Sequence, residues 1–173
     1  MSAKRSPRQR SATRPGLLAI PISDRQSVLA LPHARLRALA RQALLAEGRQ
    51  VGVALAFVDD ATMADLHARF LGDPTPTDVM TFPAPVAPHA RKATQRGGGA
   101  ICGEVVVSIT TAVRQAPAYR RQPLTEVFEY VVHGILHLCG YDDGTRRDAA
   151  RLARRQAELV DAYLTRPTRR GRA

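Results

Sequence analysis

Tryptophan is absent from this chain of 173 residues, and four phenylalanines and four tyrosines are its whole aromatic content. Aliphatic side chains must therefore build the core, and a hydrophobic content of 45% suffices for one domain of this length. The only cysteines, Cys102 and Cys139, lie far apart and outside any C-x-x-C spacing, which points to neither a zinc ribbon nor a disulfide scaffold. No apolar run approaches the ~20 residues that span a bilayer, and no apolar stretch follows the basic N-terminus as in a secretion signal. The expectation is a soluble, cytoplasmic protein without a membrane partner. Acidic residues are scarce too, 15 against 26 Lys and Arg, for a formal net charge of +11. Nine of those eleven excess charges sit at the ends, on Lys4, Arg5, Arg8, Arg10, Arg14, Arg166, Arg169, Arg170 and Arg172. Residues 1–15 and 166–173 are accordingly expected to be disordered basic tails around one domain, 16–165. Such tails serve as flexible arms on a polyanion or reflect arginine accumulation without a role, and composition alone does not choose.

What the chain does have is concentrated in Val131-Val132-His133-Gly134-Ile135-Leu136-His137-Leu138-Cys139-Gly140-Tyr141-Asp142-Asp143. Two histidines four apart on a helix point along one face, the geometry of a bidentate metal clamp. Gly140 can end that helix in a left-handed C-cap, letting a carboxylate six residues past His137 swing back towards the same ion. His133, His137 and Asp143 would leave a fourth position open, the arrangement of a catalytic zinc site rather than a structural one. Each has a plainer reading: a histidine pair beside an apolar stripe is often structural, and Asp143 suits a turn or an N-cap. Cys139 is a further possible ligand or a small buried residue. Position 134 is Gly, where a zinc peptidase of the H-E-x-x-H class carries its glutamate base, so that class is disfavoured.

Periodicity places the motif. A first strand is expected over 17–22, then a helix over 32–47 with Leu36, Leu39, Ala40, Ala43 and Leu44 facing the core. Val51, Val53, Leu55 and Phe57 alternate as a strand ending at the cap formers Asp59-Asp60. The next helix, 61 to about 71, should bury Met63, Leu66 and Phe70, with Gly72-Asp73-Pro74 ending it. Strands follow at 77–82 and 101–109, separated by a polar excursion from 84 to 99 whose Arg91, Lys92 and Arg96 are candidates for contact with RNA. A short helix from 110 to about 118 comes next. Pro123 at an N1 position opens a strongly apolar helix to 139, and Thr145 with Asp148 opens the last one, to about 164. The fold class expected is α+β: one domain with a small mixed β-sheet covered by helices and a metal cleft at the end of a buried central helix.

The motif string resembles the signature of the YbeY-type endoribonucleases, H-G-x-L-H-L-x-G-Y-D-H, at every position but the last. Pro76-Thr77-Asp78-Val79-Met80-Thr81-Phe82-Pro83 is similar to that family's P-T-D-V-L-S-F-P, and Gly103-Glu104-Val105-Val106-Val107-Ser108 to its G-D-I-V-I-S strand. The resemblance implies a zinc-dependent endoribonuclease of single-stranded RNA, acting in maturation of the 16S rRNA 3′ end and in ribosome quality control. Its partners would be rRNA and the small ribosomal subunit with its proteins. Two departures bear on this. Asp143 stands where the family has a third histidine, lowering the net charge of the centre from +2 to +1 and favouring a higher working pH or another divalent ion. Leu71 stands where the family places an arginine facing the cleft, and a leucine cannot grip a phosphate; Arg69, about 200° round the helix from it, is no simple substitute. The general base is open among a water on the ion, an RNA 2′-hydroxyl, and the carboxylates Asp142 and Glu104, with Asp142 the candidate catalytic residue and a second role for it in holding the turn. Asp78 reads as structural or cleft-lining. A non-catalytic ribosome-assembly factor and a hydrolase of another substrate remain as alternatives.

Overall fold

The computed structural model describes residues 18, 20–49, 52–84 and 102–166. The expected tails, apart from Arg166, and most of the polar excursion with its basic cluster lie outside them. Four strands form one sheet in the order β1-β2-β4-β3, from β1 (Ile22–Asp24), β2 (Val53–Val58), β3 (Val79–Ala84) and β4 (Cys102–Ser108). β1, β2 and β4 run parallel and β3 is antiparallel to β4, pairing Val79 with Val107 and Phe82 with Glu104. The sheet is therefore mixed, as expected.

Helices cover it unequally. Leu55 and Phe57 of β2 and Val105 and Val107 of β4 face a core shared with α1 (His33–Ala46) and α4 (Pro123–Leu138). Ala56, Val58 and Val106 face the other way, against Met63 of α2 (Asp60–Leu71) and Met80 of β3. The chain then runs through α3 (Ile109–Gln115), a 3-10 turn (Ala116–Tyr119), α4, and α5 (Arg146–Leu164). α4 is the central helix, touching α1, α3, α5, β3 and β4, with Val127, Val131, Val132, Ile135 and Leu136 fully buried. Among the described residues no helix is long and apolar enough to cross a membrane.

Local chemistry sets the element ends. Asp59 caps α2 by accepting from the Thr62 amide at 2.8 Å, Thr145 caps α5 through the Asp148 amide at 3.1 Å, and all five residues of the expected α1 stripe are buried. Three expectations need correction. The first strand begins at Ile22 rather than 17: Pro21 has no N–H to give a ladder and contributes only its carbonyl, to the Leu55 amide at 2.9 Å. The short helix ends at Gln115 and tightens to 3-10 geometry ahead of Pro117. Phe70, expected in the core, is 58% exposed and packs edge-on against Phe82, ring centroids 4.8 Å apart.

Candidate metal centre

The site is built at the C-terminal end of α4. Gly140 takes φ +95°, its amide bonds to the His137 carbonyl at 2.9 Å, and the Tyr141 amide bonds to the Leu136 carbonyl at 3.0 Å. These paired reverse bonds are a Schellman closure, which stops the helix and turns the chain back on itself. The turn is fastened at Tyr141, whose hydroxyl donates at 3.2 Å to Glu47, the residue just past α1, while Glu47 also takes Arg155 of α5 at 2.7 Å.

Three potential ligands meet there. One donor atom each from His133, His137 and Asp143 lie within 4.8 Å of one another. The Nε2 atoms of the two histidines are 3.0 Å apart, and Asp143 Oδ2 is 3.8 Å from His137 Nε2. What the imidazoles do with their other nitrogens decides what this means. His137 Nδ1 lies 3.1 Å from the Tyr141 carbonyl, which can only accept, so Nδ1 carries the proton and donates. His133 Nδ1 lies 3.0 Å from the side-chain oxygen of Gln156, and it too must donate. Both Nε2 atoms then present lone pairs to each other at a separation where neither has a proton to share. Only a cation or an added proton relieves that contact. Two nitrogens bound tetrahedrally at about 2.0 to 2.1 Å stand roughly 3.3 Å apart, so the pair needs little adjustment to take zinc or a similar ion. The residues fit the metal.

The other candidates fall into place around this pair. Asp142 is exposed, and its Oδ1 accepts from the amides of Asp143 at 2.8 Å and Gly144 at 3.2 Å, so it holds the turn that presents Asp143. It contributes no donor to the cluster, so a part for Asp142 as a base would be separate from holding the ion. Glu104 sits on the opposite side of the sheet from α4, in a separate depression with Arg25, Phe70 and Val106, and is set aside as a base. Cys139 also stays out: burial pushes its thiol up to about 11, and it is not among the clustered donors.

Between the histidines and the end of α2 lies a cleft of about 540 Å³, walled by Leu71, Phe70, Phe82, Thr81 and Asp78. Leu71, 69% exposed, is indeed at this cleft, and Arg69 is not among its lining residues. Asp78 accepts from Thr77 Oγ1 and the Val79 amide, a local structural role. Sequence reasoning missed His67, which lines the same cleft with Nδ1 2.6 Å from the Thr75 carbonyl, and Gln156, which no spacing rule connects to His133.

Comparison with known proteins agrees with this architecture. A sequence profile described as Endoribonuclease YbeY matches residues 21–164. An Endoribonuclease YbeY of Anaeromyxobacter sp. (strain Fw109-5) is 38% identical over 129 residues, 74% of this chain and 63% of its own length, so this chain spans under two thirds of that relative. One from Protochlamydia amoebophila is 33% identical over 144 residues, 83% of this chain and 90% of its own. A solution structure from Thermotoga maritima superposes with a TM-score of 0.54 at 22% identity, covering 88% of this chain and 97% of the other, which shows a shared fold.

Proposed function

This chain belongs to the YbeY endoribonuclease family, and from that premise we propose that it is a zinc-dependent endoribonuclease that cuts single-stranded RNA. Its proposed target is rRNA of the small ribosomal subunit, at the 16S 3′ end, with that subunit's proteins as neighbours. The observation that carries the metal-dependent part is the facing pair of Nε2 lone pairs, 3.0 Å apart, beside the Asp143 carboxylate. When bound, the ion supplies Lewis acidity for charge developing on the phosphoryl oxygens and makes water more acidic.

The chain's own residues do the rest. The Nδ1–H bonds of His133 and His137 fix the ring orientation in which Nε2 is the atom offered to an ion. Asp143 adds one negative charge to the centre, which sets the pH at which it works. Replacing that charge tests the assignment: Asp143→His is expected to bind zinc at least as well and to move the pH profile of cleavage downward, because a neutral third ligand leaves the centre more positive and its water more acidic. A profile that stays in place or moves up contradicts ligation by Asp143.

The cleft is the proposed seat of the RNA strand, and Leu71 gives it an apolar wall. Leu71→Arg is expected to raise the rate on single-stranded RNA, since a guanidinium there can grip a phosphate with two parallel hydrogen bonds. Duplex RNA of the same sequence should be cut poorly by both proteins. Preference for the duplex contradicts the substrate proposed. The exposed leucine also favours one competing reading, a ribosome-assembly factor that binds RNA without cutting it; single-stranded binding with no cleavage at any metal concentration supports that reading instead.

A further inference from the structure

A chain of polar groups runs from His133 past the buried Glu129 and Glu126 to Arg121 at the surface. His133 Nδ1 meets Gln156 Oε1 at 3.0 Å, and the Gln156 amide nitrogen donates to Glu129 Oε2 at 2.8 Å. Glu129 Oε1 pairs with Arg121 Nη2 at 3.1 Å, and Arg121 Nη1 pairs with Glu126 at 3.1 Å. Glu126 is 2% exposed and Glu129 6%. Two buried carboxylates share that one guanidinium, whose side chain is 36% exposed.

The logic of donors and acceptors runs one way along this chain. Glu129 takes Arg121 on one oxygen and offers the other to Gln156 as an acceptor. The Gln156 amide must then point its NH₂ at Glu129 and its oxygen at His133. An oxygen facing Nδ1 requires the proton on Nδ1, which places the lone pair on Nε2, towards Asp143 and His137. We propose that Gln156 is the positioning residue of the metal centre: anchored by Glu129 and Arg121, it holds His133 in the one tautomer and ring orientation that can ligate an ion.

This inference rests on the metal-binding reading of the site, and its test separates the two. The full chain is prepared as wild type, Gln156→Leu and Gln156→Glu. Zinc affinity is measured by competition with a chelator, and the His133 tautomer is read in the metal-free proteins from the ¹⁵N shifts of the ring. Gln156→Leu is expected to weaken zinc binding by about 10- to 100-fold, the usual cost of an outer hydrogen bond to a ligand. It should also turn the His133 ring from a single Nδ1–H form into a tautomer mixture. Gln156→Glu still accepts from Nδ1, so the Nδ1–H form should be kept, although the amide that donates to Glu129 is lost and two carboxylates meet there. Unchanged zinc affinity and tautomer in Gln156→Leu overturns the proposal, as does a tautomer mixture in Gln156→Glu. Should the wild type itself take no zinc, the metal reading fails, and the tautomer in the metal-free proteins still decides whether Gln156 positions His133.

Discussion

His137→Ala is expected to leave a folded protein that no longer holds a divalent ion. The imidazole supplies one of three donors, and its loss should cost more than the roughly 10- to 100-fold that follows from removing a hydrogen bond behind a ligand. Folding should survive for two reasons. The His137 side chain is 25% exposed, so its truncation leaves a dent open to water rather than a sealed cavity. The metal-free protein also loses an unfavourable contact, the two Nε2 lone pairs at 3.0 Å. Thermal unfolding should show this plainly: zinc raises the midpoint of the wild type, because an ion that binds only the folded state stabilises it, and leaves that of His137→Ala unmoved. Equal zinc-induced shifts in both proteins contradict the site.

Gly134→Ala is expected to destabilise the whole domain, although alanine is the better helix former by about 1 kcal/mol. A Cβ at position 134 would stand 2.4 Å from Val105 Cγ1 and 3.1 Å from Val79 Cγ1. Val105 is fully buried in β4 and, being β-branched, has few rotamers to retreat into. α4 must therefore back away from the sheet, and overpacking of this kind costs about 1 to 3 kcal/mol, more than the helix propensity returns. At roughly 2 to 4 °C per kcal/mol for a chain of this size, the metal-free midpoint should fall by several degrees. Because His133 is the residue before it on α4, zinc affinity should weaken together with stability. A midpoint that rises on Gly134→Ala shows that the helix has room the structure denies it. The glycine in the motif is thus there for close approach of helix to sheet, as well as for the absence of a peptidase glutamate.

The parts of the site legible in the sequence are those encoded by local chemistry. The i, i+4 spacing of His133 and His137, the left-handed Gly140 and the Thr145 cap all act within a few residues, and each stands where the pattern places it. The α1 stripe was readable for the same reason. What depends on the arrangement of distant elements was not. Gln156 reaches His133 only because α5 packs across α4, 23 residues further along the chain. Glu104 looked available because β4 is apolar on both faces; an unbroken valine run gives no alternation to say which side meets the helix that carries the histidines. Phe70 satisfied a helical pattern yet lies at the cleft mouth, since α2 covers the sheet with little more than Met63 and Leu66. Asp142 and Asp143 were adjacent carboxylates with interchangeable preferences, and only the turn geometry separates the one that holds the loop from the one that faces the histidines.

The most direct test is cleavage of one single-stranded RNA, carrying the 3′-end sequence of small-subunit rRNA, by wild type and His137→Ala at matched RNA occupancy. Each protein is stripped of metal and then titrated with zinc. Neither metal-free protein should cut, the wild type should cut to a level that saturates at one zinc per chain, and His137→Ala should not cut at any zinc concentration. Cleavage by metal-free wild type, or equal cleavage by the two proteins, contradicts metal-dependent cutting at this site.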